Sequence, residues 1–126
     1  MPIELNHTIV ASRDKEASAR FVARILGLPG PGHFAHFVTV ETANGVSLDF
    51  DNSDNVRPQH YAFLVSDEDF DAIFARVQKE EITYWADPGH QREGEINTRD
   101  RGRGFYFNDL SGHNLEVLTR PYGSGG

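Results

Sequence analysis

Hydrophobic and polar positions follow one plan twice along this chain. Residues 5–11 are apolar and β-branched and predict a buried strand. Ser12 and Asp14 are candidate N-caps for a helix running to about Leu26. Ala17, Phe21, Ile25 and Leu28 recur at the helical period, and Gly27 and Pro29 stop the helix. Residues 34–40 and 45–50 predict two strands around the turn Ala43-Asn44-Gly45, with Val46, Leu48 and Phe50 facing one way and Ser47 and Asp49 the other. The second pass opens with a strand over residues 59–65. Ser66 and Asp69 have the form of a capping box, ahead of a helical stripe of Phe70, Ile73, Phe74 and Val77. A polar, glycine-containing stretch covers residues 87–104. A strand at 105–107, a turn at Asp109-Leu110-Ser111-Gly112 and a last strand at 114–119 complete the plan.

The two passes align. His7-Thr-Ile-Val-Ala-Ser12 matches His60-Tyr-Ala-Phe-Leu-Val-Ser66 with one extra residue, and Gly45-Val-Ser-Leu-Asp-Phe50 matches Gly112-His-Asn-Leu-Glu-Val117 without a gap. One helix covers one face of a sheet and leaves the other open. The expected fold is therefore α+β, with two tandem βαβββ modules whose curved mixed sheets enclose a shared cavity. Module 1 covers about residues 3–55 and module 2 about 56–120 of a single domain, 1–122, followed by a flexible tail at 123–126.

Period two gives the polar members of the repeat a direction. Leu115 and Val117 face the helix layer, so Asn114, Glu116 and Leu118 face away; His60, Ala62 and Leu64 share one face, as do Leu5, His7 and Ile9. A lone strand histidine is most often a half-buried, hydrogen-bonded residue, and a lone glutamate is most often solvated. Equivalent placement in two copies sets His7, His60 and Glu116 apart. Two imidazoles and a carboxylate form a facial triad that holds a divalent ion and leaves positions open for substrate and water. Asp49, at the position of Glu116 in the first copy, is a candidate fourth ligand with a shorter reach. Tyr106 and Asn108 share a strand face opposite Phe105 and Phe107. Tyr106 is a candidate to position a substrate oxygen or proton, or else a strand tyrosine with its hydroxyl at the rim. Arg92, Arg99, Arg101 and Arg103 lie in the polar stretch, either solvated or set to meet an anionic substrate, and Arg101 is the candidate for that contact. Trp85 and Tyr84 are either pocket-lining or core aromatics. His113 reads as structural, because it points away from the Glu116 face, and His33, His36 and His90 have no partner assignable from sequence.

Composition narrows the chemistry. The 126 residues carry 12 Lys and Arg against 19 Asp and Glu, a formal charge of −7, which argues against nucleic acid and anionic membranes as partners. Cysteine is absent, so disulfides, thiolate ligands and thiol nucleophiles are excluded, while six histidines keep a metal site open. No apolar run spans a bilayer and no secretory leader is visible, so the cytoplasm is the expected compartment.

Leu5-Asn6-His7, Phe21-Val-Ala-Arg-Ile-Leu-Gly-Leu28, Gln59-His60 and Gly104-Phe-Tyr-Phe-Asn-Asp-Leu-Ser-Gly-His-Asn-Leu-Glu116 together resemble the vicinal oxygen chelate superfamily of glyoxalases, bleomycin and fosfomycin resistance proteins and extradiol dioxygenases. The resemblance spans about residues 4–120. It implies a divalent metal (Fe, Mn, Zn, Ni or Co) held by His7, His60 and Glu116, often with a carboxylate at the position of Asp49, and a small oxygen-rich substrate chelated to it. It also implies a homodimer. The reaction subtype stays open among lyase or isomerase, ring-cleaving dioxygenase and transferase. Tyr106 stands ten residues before Glu116, as in the dioxygenases, yet the histidine base those enzymes carry ahead of the second module is missing from residues 37–59. Two functional classes follow: a metal-dependent enzyme, and a metal-free protein sequestering a drug or metabolite in the manner of bleomycin resistance proteins.

Overall fold

A computed structural model describes residues 2–125; Met1 and Gly126, the last residue of the expected tail, lie outside the described residues. The chain forms two compact units, residues 1–57 and 58–126. The first contains β1 (His7–Ser12), α1 (Lys15–Leu26), β2 (Gly32–Phe34), β3 (Phe37–Glu41) and β4 (Ser47–Asn52), and its sheet has the order β1-β4-β3-β2. The second contains β5 (His60–Leu64), α2 (Asp67–Lys79), β6 (Tyr84–Trp85), a 3-10 turn at Arg99–Arg101, β7 (Gly104–Asn108) and β8 (Asn114–Leu118), with the order β5-β8-β7-β6. Each is a βαβββ module of the expected α+β kind. The first strand runs parallel to the last, and the remaining pairings are antiparallel.

In unit 1 the Asp14 carboxylate accepts the Ala17 amide at 3.2 Å and starts α1. Gly27, at φ 71°, ends it in the left-handed conformation that glycine adopts without a steric penalty. Ala19, Phe21, Val22, Ala23 and Ile25 are buried, as are Val10, Val38, Val40, Leu48 and Phe50 of the sheet that α1 packs against. The single strand expected over residues 34–40 is instead a hairpin. Phe34 pairs with Phe37 across Ala35 and His36, and Ala35 takes φ 53° to make the reversal. No glycine marks this turn, so the hydrophobic run reads straight through it.

In unit 2 the Ser66 hydroxyl accepts the Asp69 amide at 3.1 Å. Asp67, Glu68 and Asp69 in the first turn of α2, and Arg76 and Lys79 in the last, complement the helix dipole. Phe70, Ile73 and Val77 are buried against the sheet. Phe105 meets the rings of Phe70 at 5.4 Å and Phe74 at 5.3 Å, and Phe74 meets Tyr84 edge-on at 5.0 Å, so the half-buried Tyr84 packs with the rings on the helix side of the sheet. Arg103 faces this helix: it pairs with Asp67 at 3.0 Å and Asp71 at 2.7 Å, and its guanidinium lies 4.3 Å from the Phe70 ring centre. Gly123 and Gly125, expected in a free tail, donate their amides to the Asp100 carboxylate at 3.0 and 2.9 Å. Among the described residues no helix is long and apolar enough to cross a membrane.

Candidate functional site

Strand register sets out the open face of the unit 2 sheet. Trp85 pairs with Tyr106, Tyr106 with Glu116 and Glu116 with Ala62, which makes one cross-sheet row. Two residues along, Asn108, Asn114 and His60 form the next row on the same face. Phe105, Phe107, Leu115 and Val117 take the opposite face and are buried. The expected site residues of module 2 (Trp85, Tyr106, Asn108, His60 and Glu116) thus share one surface, because alternation sends every apolar neighbour to the helix.

Within that surface His60 Nε2 lies 2.8 Å from Glu116 Oε1, with the histidine side chain 48% exposed and the glutamate 13% exposed. Tyr106 lies beside them, its ring centre 5.6 Å from that of His60. Its hydroxyl accepts a hydrogen bond from Arg99 Nη1 at 3.1 Å. Burial pushes the Tyr106 phenol above its ordinary pKa of 10.0, the Glu116 charge adds to this, and the Arg99 guanidinium opposes it. The phenol therefore stays protonated at neutral pH and can donate a hydrogen bond.

Unit 1 repeats the register. His7 pairs with Ser47 and Ile9 with Asp49, as His60 pairs with Asn114 and Ala62 with Glu116. His7 is exposed, with Nδ1 2.6 Å from Asn6 Oδ1. Asp49 is 8% exposed, and its Oδ1 accepts the Ser47 hydroxyl at 2.7 Å. Among the described residues no group of three or more His, Cys, Asp or Glu side chains stands together at metal-holding distance. Unit 2 holds a pair, an imidazole nitrogen against a carboxylate oxygen. That donor chemistry suits a divalent ion, and both side chains retain exposure through which an ion and further donors can reach them.

Four arginines were candidates for an anion contact, and the structure separates them. Arg101 is exposed in the 3-10 turn. Asp100 and Arg101 both adopt left-handed backbone, at φ 54° and 63°, so the chain reverses there and Arg99 is the residue that meets Tyr106. Arg103 serves α2, and Arg92 pairs with Glu95 at 3.1 Å. Arg92 and Arg99 also line a cleft of about 330 Å³ with Asp87, Ile96, Asn97 and Thr98. His113 is structural as expected: it is fully buried, and its Nδ1 accepts the Gln59 amide at 2.9 Å. His33 meets Glu16 at 3.2 Å and His36 meets Asp51 at 3.5 Å, both on the unit 1 surface. His90, unassigned from sequence, stacks on Trp85 and reaches Asn114. Only the pairing of β6 with β7 brings it there, and two residues of strand leave no period to read.

Comparison with known proteins agrees with this architecture. The profile of the Glyoxalase/Bleomycin resistance protein/Dioxygenase superfamily matches residues 4–117. The chain is 30% identical over 120 residues to the glutathione transferase FosA of Serratia marcescens, covering 90% of this chain and 78% of that protein. Two solved structures named as oxidases are more similar still. ChaP-H1 is 58% identical with a TM-score of 0.95, covering 97% of this chain and 99% of its own. ChaP-H2 is 61% identical with a TM-score of 0.96 and full coverage of both. With its two βαβββ modules and a profile match over nearly its whole length, the chain belongs to the glyoxalase/bleomycin resistance protein/dioxygenase superfamily.

Proposed function

We propose that this protein is a metal-dependent oxidative enzyme acting on a small, oxygen-rich molecule, with His60, Glu116 and His7 as the metal ligands. The observation that carries the reading is the contact of His60 Nε2 with Glu116 Oε1 on a strand pair whose register recurs at His7 and Asp49. The oxidative subtype is supported by the two relatives named as oxidases, at 58% and 61% identity. When bound, a divalent ion would supply Lewis-acid stabilisation of substrate oxygens. Tyr106, whose phenolic hydrogen faces the Glu116 carboxylate, would turn that hydrogen to a substrate oxygen while Arg99 holds the hydroxyl in place. Asn108 offers an amide on the same face, and Asp49 is a weaker candidate ligand because one of its oxygens already serves Ser47.

The same reading includes a homodimer. Ile9 and Leu64 lie on the open sheet faces with 56% and 59% exposure, and a second copy would cover them. Light scattering at micromolar concentration should give twice the 14.1 kDa chain mass.

Calorimetric titration of metal-stripped protein with Mn²⁺ tests the ligand set. The parent is expected to bind one ion per chain, and Glu116→Gln is expected to lose at least about 100-fold in affinity. Unchanged affinity in Glu116→Gln would refute the ligand set, and a parent that takes up no ion would favour the sequestering class.

A further inference from the structure

The loop between β6 and β7 sets His90, like Arg99, against the site face. His90 stacks on Trp85 with ring centres 3.7 Å apart and planes 4° from parallel, and its Nε2 lies 2.8 Å from Asn114 Oδ1. Trp85 belongs to β6 and Asn114 to β8, with β7 between them. An imidazole that touches both therefore lies across β7, above the face that carries Tyr106 and Asn108. Asn114 is opposite His60 in the sheet and shares its face with Glu116.

The arrangement is built rather than incidental. His90 holds φ 58°, a left-handed backbone that is disfavoured for a non-glycine residue. The turn that imposes it is closed by its own hydrogen bonds. The Asp87 carboxylate accepts the amides of Gln91 at 3.0 Å and Arg92 at 2.8 Å, and the Asp87 carbonyl accepts that of His90 at 3.2 Å.

The same contacts fix the ring's tautomer. Asn114 Nδ2 donates to the Pro88 carbonyl at 3.2 Å, which turns Oδ1 toward His90. An amide oxygen only accepts, so His90 Nε2 carries the hydrogen, and in the neutral ring Nδ1 is left as a lone-pair acceptor.

We propose that His90 is an acid–base residue of the site, its Nδ1 taking the proton of a phenolic or enolic substrate hydroxyl. This deepens the proposed function and rests on it for the identity of the substrate site. In the step the substrate O–H bond breaks and the Nδ1–H bond forms, giving an oxyanion and an imidazolium. The proton returns to the product oxygen or to water on release. The Asp87 carboxylate faces the imidazolium from the same turn, and Asn114 Oδ1 retains the Nε2–H. Arg92, in the same turn, is paired with Glu95, and His60 lies opposite Asn114 in the sheet.

The test uses 4-nitrocatechol, whose visible absorbance reports its own ionisation, bound to metal-free protein. His90→Asn is the variant, because asparagine tolerates the left-handed backbone. The bound probe is expected to ionise about tenfold less readily in His90→Asn, one pH unit higher, with added imidazole restoring the parent value. An unchanged ionisation midpoint would overturn the proposal. So would weaker binding without a shift in midpoint, the mark of a packing role, or a parent that does not take up the probe. Mn²⁺ affinity separates this from the ligand assignment: His90→Asn should stay within about threefold of the parent, whereas Glu116→Gln should not.

Discussion

His60 Nε2 and Glu116 Oε1 stand 2.8 Å apart on parallel neighbouring strands, and the register that joins them, two residues out of step, also relates His7 to Asp49. The two halves differ in how the acid is used. Glu116 reaches its histidine, whereas Asp49, one methylene shorter, turns to Ser47. The donors therefore differ in rank. His7→Ala is expected to lower Mn²⁺ affinity by more than about 100-fold, beyond what loss of a group merely bonded to a ligand usually causes, and Asp49→Asn by less than about tenfold. Calorimetry on the two variants decides the ranking, and equal losses would make Asp49 a full ligand.

Asp109 gives a pH dependence whose sign follows from its burial. Desolvation raises its carboxyl above 3.8, against the opposing hydrogen bonds from the amides of His113 and Ser111, and its Oδ2 has no hydrogen-bond partner. A raised folded pKa means that the contribution of Asp109 is complete below the unfolded value and is lost as pH rises through the folded one. Asp109→Asn carries no charge and keeps an acceptor for both amides. Its stability relative to the parent should increase from about pH 4 upward and then level off above the folded pKa. Urea unfolding across pH measures this, and a pH-independent difference would contradict it.

Arg103 and Arg99 sit four residues apart and serve opposite sides of the sheet. Arg103→Ala removes two exposed ion pairs and a guanidinium–ring contact, so it should cost about 1 kcal/mol of stability without changing Mn²⁺ affinity. Arg99→Met should leave stability within about 0.5 kcal/mol. It should move the Tyr106 phenol further upward, because the group that opposed the rise is gone. A tyrosinate difference titration against Tyr106→Phe reads that shift, and a downward movement would be inconsistent with the geometry.

Phe105 is fully buried at the meeting of β7 with α2, touching Phe70, Phe74 and Tyr84. Phe105→Ala should cost about 3–5 kcal/mol, seen as a lower denaturation midpoint with an unchanged slope.

Much of this was legible beforehand because two periodicities coincide in each half. The helical stripes and caps of α1 and α2 survive into the structure, and alternation correctly sends Glu116, Tyr106 and Asn108 to one face and their apolar neighbours to the other. What was missed depends on backbone reversals made without glycine. Ala35 splits one expected strand into β2 and β3, and left-handed backbone at Asp100 and Arg101 follows Arg99, whose contact with Tyr106 no spacing marks. His90 was missed for a related reason: it is positioned by a two-residue strand and by a turn that hydrogen-bonds to itself.

The most direct measurement is elemental analysis of protein purified without chelator or added metal, with His60→Ala prepared alongside. Close to one transition-metal ion per chain is expected in the parent and almost none in the variant. Equal metal content in both, or a parent that stays empty after incubation with Fe²⁺, Mn²⁺, Zn²⁺, Ni²⁺ and Co²⁺, would contradict it.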